Sequence, residues 1–338
     1  MQGTSNPRRI AIVGAGAIGA ALGARLALAG HAVSVVARGE HLLAMQAGGI
    51  TLREKGVEQN IPVRAVAKVG DLGQQDVIFI TLKAHQILPL LAEVATVCHK
   101  DSVVLPAING IPWWYFHGDT SAFADDKVDG RRIRCLDPAG RGLADLDPGH
   151  LLGCVVHASA EVVAPGVVVS NGQHRYRIGE PSHTLSPRVE ALCALMREAG
   201  LEPMATARIR DEIWMKLVGN TSYNPVGALT RARMDQINRN DGLVQLIRDV
   251  MGEVQALARA YGCDPLVSVE ERIAIAKGIG PVKVSTLQDL ERGRPLEVDG
   301  ILNAPIELGQ RAGVPMPFTR ALAALLGELN ARHILRED

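Results

Sequence analysis

Lys216, Asn220 and Asn224 recur at intervals of four within the otherwise apolar stretch EIWMKLVGNTSYNP. Residues four apart stand one above another on a helix, so these polar side chains form one stripe between Ile213, Leu217 and Val218. A stripe of this kind points either at water or at a ligand. If it faces a ligand, the lysine can deliver a proton to an oxygen that is gaining charge, as the reduction of a carbonyl by a nicotinamide requires. Its positive charge would also stabilise that oxygen before transfer is complete, and the two amides could hold a hydroxyl or carboxylate of the same molecule. If it faces water, Lys216 is a lysine lying along apolar surface with its head in solvent, and the asparagines are capping or surface amides. The stretch alone leaves both readings open.

A second set of residues lies near the start. IAIVGAGAIGAALGARL contains Gly14, Gly16 and Gly19 in the order G-x-G-x-x-G, directly after an apolar strand and directly before a helix. In a dinucleotide loop the first glycine permits a tight turn, the second lets a pyrophosphate approach the backbone, and the third lets helix and strand pack closely. The amides of Gly14, Ala15, Gly16, Ala17, Ile18 and Gly19 would then surround the phosphates at a helix N-terminus. The next strand ends at Arg38, about twenty residues on, where NAD enzymes carry an acidic residue for the ribose 2′-hydroxyl. An arginine suits a 2′-phosphate, so NADP is the expected cofactor, although Arg38 also reads as a solvated surface charge. Lys83 follows a later strand at the same carboxyl edge, either to reach a phosphate or as a solvated loop lysine. Asn109, in LPAINGIP, ends another such strand, where an amide can bond both cofactor and substrate, although Asn-Gly is also a turn signal. Ser285 and Glu297 stand in a polar run that leads into a helix, where capping explains such residues in most proteins. His157 reads as structural, no histidine pair has metal-ligand spacing, and no metal is expected.

The elements that must position these residues follow from hydrophobic period. Strand-length apolar runs at 10–13, 32–37, 77–81 and 103–106 alternate with helical periods at 18–29 and 86–97, which predicts a mostly parallel sheet built from βαβ units. GGITLREKGVEQNIPVRAV reads as a small polar hairpin. The stretch 117–150 is rich in Asp, Gly and Arg with little periodicity and is expected to be a long loop. Strands return in GCVVHASAEVVAPGVVVS and HRYRIGE, with a turn at Pro165-Gly166, and helical periods dominate from about Leu185, interrupted by an extended LEPMATA. The expected fold class is α/β: a Rossmann-like doubly wound domain over 1–207, carrying the loop 117–150, followed by an all-α domain over 208–338.

Bulk properties narrow the partners. Over 338 residues Lys plus Arg equals Asp plus Glu at 36 each, so no net field draws the chain to nucleic acid or an anionic membrane. The N-terminal run could pass for a basic segment before an apolar signal core, but three glycines and Arg25 inside it favour strand-turn-helix. No stretch approaches the ~18 apolar residues of a membrane span. Five cysteines, scattered and odd in number, argue for a reducing cytoplasm and against a disulfide framework.

VGAGAIG, VAR, TLKAHQ, ING, VVHAS, EIWMKLVGNTSYNP, STLQDLERGRPLEVDGILN and RAGVPMP together resemble the ketopantoate reductase (2-dehydropantoate 2-reductase) family along both halves of the chain. The lysine helix and the glutamate after the LQD run are more specific than the glycine loop. The resemblance implies NADPH-dependent reduction of 2-dehydropantoate to (R)-pantoate in pantothenate biosynthesis. It places Lys216 at the proton donor and Asn220 and Asn224 at substrate-binding asparagines. Ser285 falls at a substrate-carboxylate contact, and Glu297 at the glutamate that holds the substrate hydroxyl near the cofactor. Asn109 falls at a contact to both molecules, Ser159 at a cofactor contact, and Arg38 and Lys83 at the residues favouring NADPH. The expected partner is a small 2-oxo acid, with no nucleic acid or membrane, and a homodimer is a compatible assembly.

Three departures qualify the substrate. Met234 stands where the family has a further substrate-contacting asparagine, Pro112 replaces a usual glycine and leads into Trp113–Phe116, and the stretch 117–150 is longer than the family norm. The aromatic stretch reads either as the lining of a wider pocket or as core or subunit contact. A reductase of a larger 2-oxo acid is therefore the alternative, and a non-catalytic NADP-binding sensor a more distant one.

Overall fold

The computed structural model describes residues 7–119 and 132–334. The chain divides into two compact units, one of Met1–Ile108 with Arg141–Ile209, the other of Asn109–Gly140 with Arg210–Asp338. Among the described residues the ten strands are β1 (Arg9–Val13), β2 (Ala32–Val36), β3 (Ile50–Glu54), β4 (Val57–Ile61), β5 (Arg64–Val66), β6 (Gln75–Ile80), β7 (Cys98–Pro106), β8 (Gly153–Ala164), β9 (Val167–Gly179) and β10 (Glu202–Ala205). All lie in the first unit.

Five strands form a parallel sheet in the order β5-β2-β1-β6-β7. The apolar runs IAIV, VSVV and VIFI are buried almost throughout, as strands covered on both faces must be. Because β1 is flanked by β2 on one side and β6 on the other, the chain order reverses beside it, and such a reversal opens a crevice at the carboxyl edge. The helix Ala17–Leu28 joins β1 to β2 and also packs on β3, β8 and β9 of a second sheet. That position explains its composition. AIGAALGARLAL is apolar nearly all round, as a helix between two layers has to be, and a Cβ at Gly23 would lie only 3.1 Å from Ile12.

The second sheet runs β10-β9-β3-β4, with β8 antiparallel to β9. The predicted polar hairpin is β3 and β4, turning through Lys55 (φ 49°) and Gly56 (φ 79°), the two positive φ values of a type I′ turn. It is not free-standing, because β3 pairs in parallel with β9. The end of that segment, β5, belongs to the first sheet instead. The helix expected over 86–97 is broken into Ala84–Ile87, a 3₁₀ turn at Leu88–Leu90 and Leu91–Thr96. Pro89 is the cause, since it lacks the amide hydrogen that would continue the helical hydrogen-bond ladder, although Leu88 before it keeps α-like angles (φ -52°, ψ -43°).

Asp76 ties the starts of β1, β6 and β7 together: it accepts from the Arg9 amide at 2.8 Å and guanidinium at 2.7 Å, and from His99 at 2.9 Å. Partial burial would raise its pKa, but the Arg9 and His99 hydrogen bonds outweigh this and hold the carboxyl below the usual range. A carboxylate with a depressed folded pKa stabilises above its unfolded pKa, and that contribution is lost as pH falls toward the folded value. Asp76→Asn should therefore lower the melting temperature at pH 7 and flatten its decline below about pH 4. Parallel melting curves from pH 7 to 3 for the two proteins would contradict this role.

The second unit is helical among its described residues. Its principal helices are Ile209–Thr230, Asp241–Ala260, Val269–Lys277, Ser285–Glu291, Ala304–Ala312 and Pro317–Ile334. Asp241–Ala260 is the most amphipathic and buries Val244, Ile247, Val250, Met251, Val254 and Leu257, while Asn240 caps it by accepting from the Leu243 amide at 3.0 Å. Trp113–Phe116 form part of this core. Tyr115 packs edge-on against Trp214 and Tyr261, with centroids 6.0 and 6.2 Å away, and its hydroxyl accepts from Trp214 Nε1 at 2.7 Å. Arg210 donates to the Tyr115 and His117 carbonyls at 2.8 and 2.7 Å. The pocket-lining reading of these aromatics thus gives way to the core reading.

The predicted loop 117–150 is ordered in more of its length than its composition suggested, while its residues 120–131 lie outside the described ones. The amides of Arg134 and Cys135 donate to the Glu307 carboxylate at 2.8 and 3.0 Å, and short helical turns occupy Gly142–Asp145 and Pro148–His150. Among the described residues no helix is long and apolar enough to cross a membrane.

Candidate active site

The crevice beside β1 holds a cavity of about 440 Å³ lined by Gly14, Ala15, Gly16, Ala37, Arg38, His41, Leu82 and Gln86 among others. The three glycines of the loop are there for three different reasons. Gly14 has φ 102°, where L side chains are strained, and a Cβ there would meet Leu82 at 2.6 Å. Gly19 sits against backbone: a Cβ would come within 2.3 Å of the Gly14 carbonyl oxygen and 2.4 Å of Thr81 Oγ1. A Cβ at Gly16 would meet nothing within 4 Å, because it would project into open space at the cavity wall. The amides of the first helical turn have no intrahelical partner, and no acidic side chain occupies that turn of Ala17–Leu28. An open backbone edge with free amides fits a dinucleotide pyrophosphate.

Arg38 is exposed at the start of the helix Gly39–Gly48 and lines the same cavity. Lys83 is half-buried between the lining residues Leu82 and Gln86 without itself lining the cavity. Ser159 is exposed in the middle of β8 and is also outside the lining.

In the second unit the stripe is a real feature of one helix: Lys216 and Asn220 are half-buried and Asn224 is buried on Ile209–Thr230. Asn224 Nδ2 donates to Ser285 Oγ at 3.3 Å. Gly227 makes that approach possible, since a Cβ there would lie 2.5 Å from Val284. Asn109 Nδ2 donates to Glu297 Oε2 at 3.1 Å, although the two are far apart in the chain. Their meeting is built from backbone. The Ile111 amide donates to the Gly300 carbonyl at 2.9 Å, and a Cβ on Gly110 (φ 82°) would come within 2.3 Å of that same oxygen. Gly300 lies in a π-helical turn, Asp299–Asn303, just ahead of Ala304–Ala312, and Thr221 Oγ1 on the stripe helix donates to the Ile301 carbonyl at 3.0 Å. Four of the six residues singled out in this unit are thus joined as two hydrogen-bonded pairs. Met234 is buried at the start of a short helix, with its amide bonded to the Val282 carbonyl.

Two family models match, "Ketopantoate reductase PanE/ApbA" over residues 10–113 and "Ketopantoate reductase PanE/ApbA C terminal" over 208–330. The chain is 42% identical to a 2-dehydropantoate 2-reductase of Mesorhizobium japonicum, covering 95% of this chain and 97% of the relative. It belongs to the ketopantoate reductase family. Solved structures agree. A ketopantoate reductase homologue from Ralstonia solanacearum MolK2 superposes with TM-score 0.89 at 37% identity, over 97% of this chain and 99% of that one. A PanE/ApbA family ketopantoate reductase from Ralstonia eutropha JMP134 gives TM-score 0.81 at 26% identity, over 96% and 99%. The chain is accordingly an oxidoreductase.

For a ketopantoate reductase, this chain also uses residues that the sequence alone did not flag. His41 Nδ1 accepts from the Gly166 amide at 2.9 Å, which leaves Nε2 protonated to donate to the Ala15 carbonyl at 2.7 Å. Thr81 Oγ1 donates to the Gly14 carbonyl at 2.6 Å. Both hold the glycine loop by its oxygens, while the Gly14 and Ala15 amides bond the Val36 carbonyl at 3.2 and 3.0 Å and the Gly16 amide bonds the Gly14 carbonyl at 2.8 Å. The donors open to a phosphate are therefore those of the first helical turn, Ala17, Ile18 and Gly19. The available signal for His41 was its place three residues after Arg38, which is too weak to act on alone.

Proposed function

We propose that this chain reduces 2-dehydropantoate to (R)-pantoate with NADPH, as the reductive step of pantothenate biosynthesis. The observation that carries the reading is the lysine stripe of Ile209–Thr230 with Asn224 bonded to Ser285 at 3.3 Å, in the same unit as the Asn109–Glu297 pair at 3.1 Å. It is supported by the relative of 42% identity that bears the activity's name. NADPH supplies the hydride when bound; the chain's own residues do the rest. The amides of Ala17, Ile18 and Gly19 hold the pyrophosphate against the open backbone of Gly14, Ala15 and Gly16, and Arg38 holds the 2′-phosphate, with Lys83, Ser159, Asn109 and Glu297 as further cofactor contacts. Asn220, Asn224 and Ser285 hold the oxo acid, Glu297 fixes the hydroxyl, and Lys216 delivers the proton to the former carbonyl oxygen. The unit containing β1 is the cofactor domain, and the helical unit supplies the substrate and catalytic groups.

Of the three departures behind the larger-substrate alternative, Trp113–Phe116 are core, while Met234 and the long stretch 117–150 still stand behind it, and kinetics on a panel of larger 2-oxo acids would separate the two readings. NADPH oxidation with 2-dehydropantoate as substrate tests the reading directly, and NADPH binding without turnover of any 2-oxo acid would replace it with a sensor. The cofactor choice has its own test. Arg38→Ala should raise KM for NADPH by about tenfold or more, the worth of one charged contact to phosphate, and leave KM for NADH nearly unchanged. Equal changes for both cofactors would remove Arg38 from 2′-phosphate recognition. Sedimentation would settle whether the chain assembles as a homodimer.

A further inference from the structure

We propose that Arg272 is a carboxylate-binding residue of the helical unit that makes the site prefer an acid over its neutral derivatives. The inference rests on the reductase reading of the Lys216 helix and adds a group that this reading does not use.

Arg272 lies on the helix Val269–Lys277, one turn after its Ser268 cap. Its guanidinium is laid over Gly219 of the stripe helix: a Cβ at 219 would be 2.3 Å from one terminal nitrogen, 2.9 Å from Cζ and 3.1 Å from Nε. The group therefore fills the volume that a side chain at 219 would take. Position 219 directly precedes Asn220 and lies one turn beyond Lys216, so the cation stands on the flank of the stripe. Glycine is normally a cost inside a helix, and here its absence of side chain is what admits the guanidinium.

Among the described residues no acidic side chain pairs with this charge. Nε is buried with no hydrogen-bond partner, and among the described residues Arg272 forms no ion pair. Burial pushes its pKa down, opposed only by Tyr223, whose own phenol burial pushes up to about 12 and so keeps neutral. A half-buried guanidinium whose Nε is buried without a partner and which has no counter-ion gains from a ligand that brings the opposite charge. A 2-oxo acid brings one. Arginine presents a planar fork matched to a carboxylate, whereas Ser285, the carboxylate contact expected from the resemblance, offers one neutral hydroxyl.

The test is steady-state kinetics on the full chain with NADPH, using 2-dehydropantoate and its methyl ester. Arg272→Met should raise KM for the acid at least tenfold, with a smaller effect on kcat and none on KM for NADPH. The preference for acid over ester should fall by the same factor. Arg272→Lys should restore part of that preference, which a purely structural arginine would not require. Gly219→Ala should push the guanidinium aside and repeat the KM increase while the melting temperature holds or rises, because alanine favours the helix. An unchanged KM and acid preference in Arg272→Met would overturn the proposal and leave the reductase reading intact. If the unaltered protein does not turn over 2-dehydropantoate, that reading fails, and calorimetric titration with oxamate decides Arg272 separately. Oxamate binding that weakens in Arg272→Met supports the proposal, and binding that is absent or unchanged overturns it.

Discussion

Replacing Lys216 with alanine is expected to lower kcat by about 10²–10⁴-fold, the usual worth of a positioned general acid, while NADPH affinity is retained. The asymmetry follows from placement. The glycine loop and Arg38 line a cavity built wholly from first-unit residues, and Lys216 belongs to a helix of the other unit. Lys216→Arg separates charge from proton delivery. Arginine keeps the positive charge but does not give up its proton in this pH range, so it should recover only the electrostatic part of the loss. Single-turnover rates and NADPH titrations on both variants read the two quantities apart. Turnover close to the unaltered protein in Lys216→Ala would remove the lysine from the chemistry.

The glycine loop gives the second large effect, because two glycines three residues apart should fail in opposite ways. At Gly19 an added Cβ meets the Gly14 carbonyl at 2.3 Å and Thr81 at 2.4 Å. The loop cannot retreat freely, since the Gly14 and Ala15 amides are bonded to the Val36 carbonyl at 3.2 and 3.0 Å. Gly19→Ala should therefore destabilise the first unit by about 1–3 kcal/mol or more, as overpacking against backbone does, with cofactor binding lost in consequence. At Gly16 the same methyl enters open space. Gly16→Ala should melt like the unaltered protein yet bind NADPH about tenfold or more weakly, a loss of about 1.4 kcal/mol. Calorimetric melting beside cofactor titration checks the pair, and matching behaviour of the two variants would contradict their separate roles.

What could be read from the sequence was whatever period and spacing encode. The strands of the parallel sheet announce themselves as short apolar runs, and the glycine loop is recognisable because strand, turn and helix are contiguous. The stripe of Lys216, Asn220 and Asn224 is legible since helical spacing puts it on one face. Contacts across long separations were not. That Asn109 meets Glu297 depends on Gly110 lying backbone to backbone on Gly300, and two glycines in distant loops carry no mark of their pairing. The hairpin at Lys55-Gly56 was readable as a hairpin, but its recruitment by β9 into a second sheet was not. His41 was missed for a related reason: its two partners, Ala15 and Gly166, come from separate segments. Trp113–Phe116 could be read as pocket lining or as core or subunit contact, because aromatics serve pockets and cores alike, and their contacts with Trp214 and Tyr261 decide for core.

The aromatic stretch also bears on how the chain is made. Tyr115 finds its partner Cys263 148 residues later, and Trp214 and Tyr261 are likewise downstream. Synthesis at ~5–20 residues per second puts roughly 7–30 s between the emergence of Tyr115 and that of Cys263. The strands and helices up to Ile209 can assemble in that interval, but four adjacent aromatic side chains must wait beside them in water. A nascent chain halted between these points would present its most adhesive segment uncovered, and holding chaperones should bind there and release once residue 261 has cleared the ribosome.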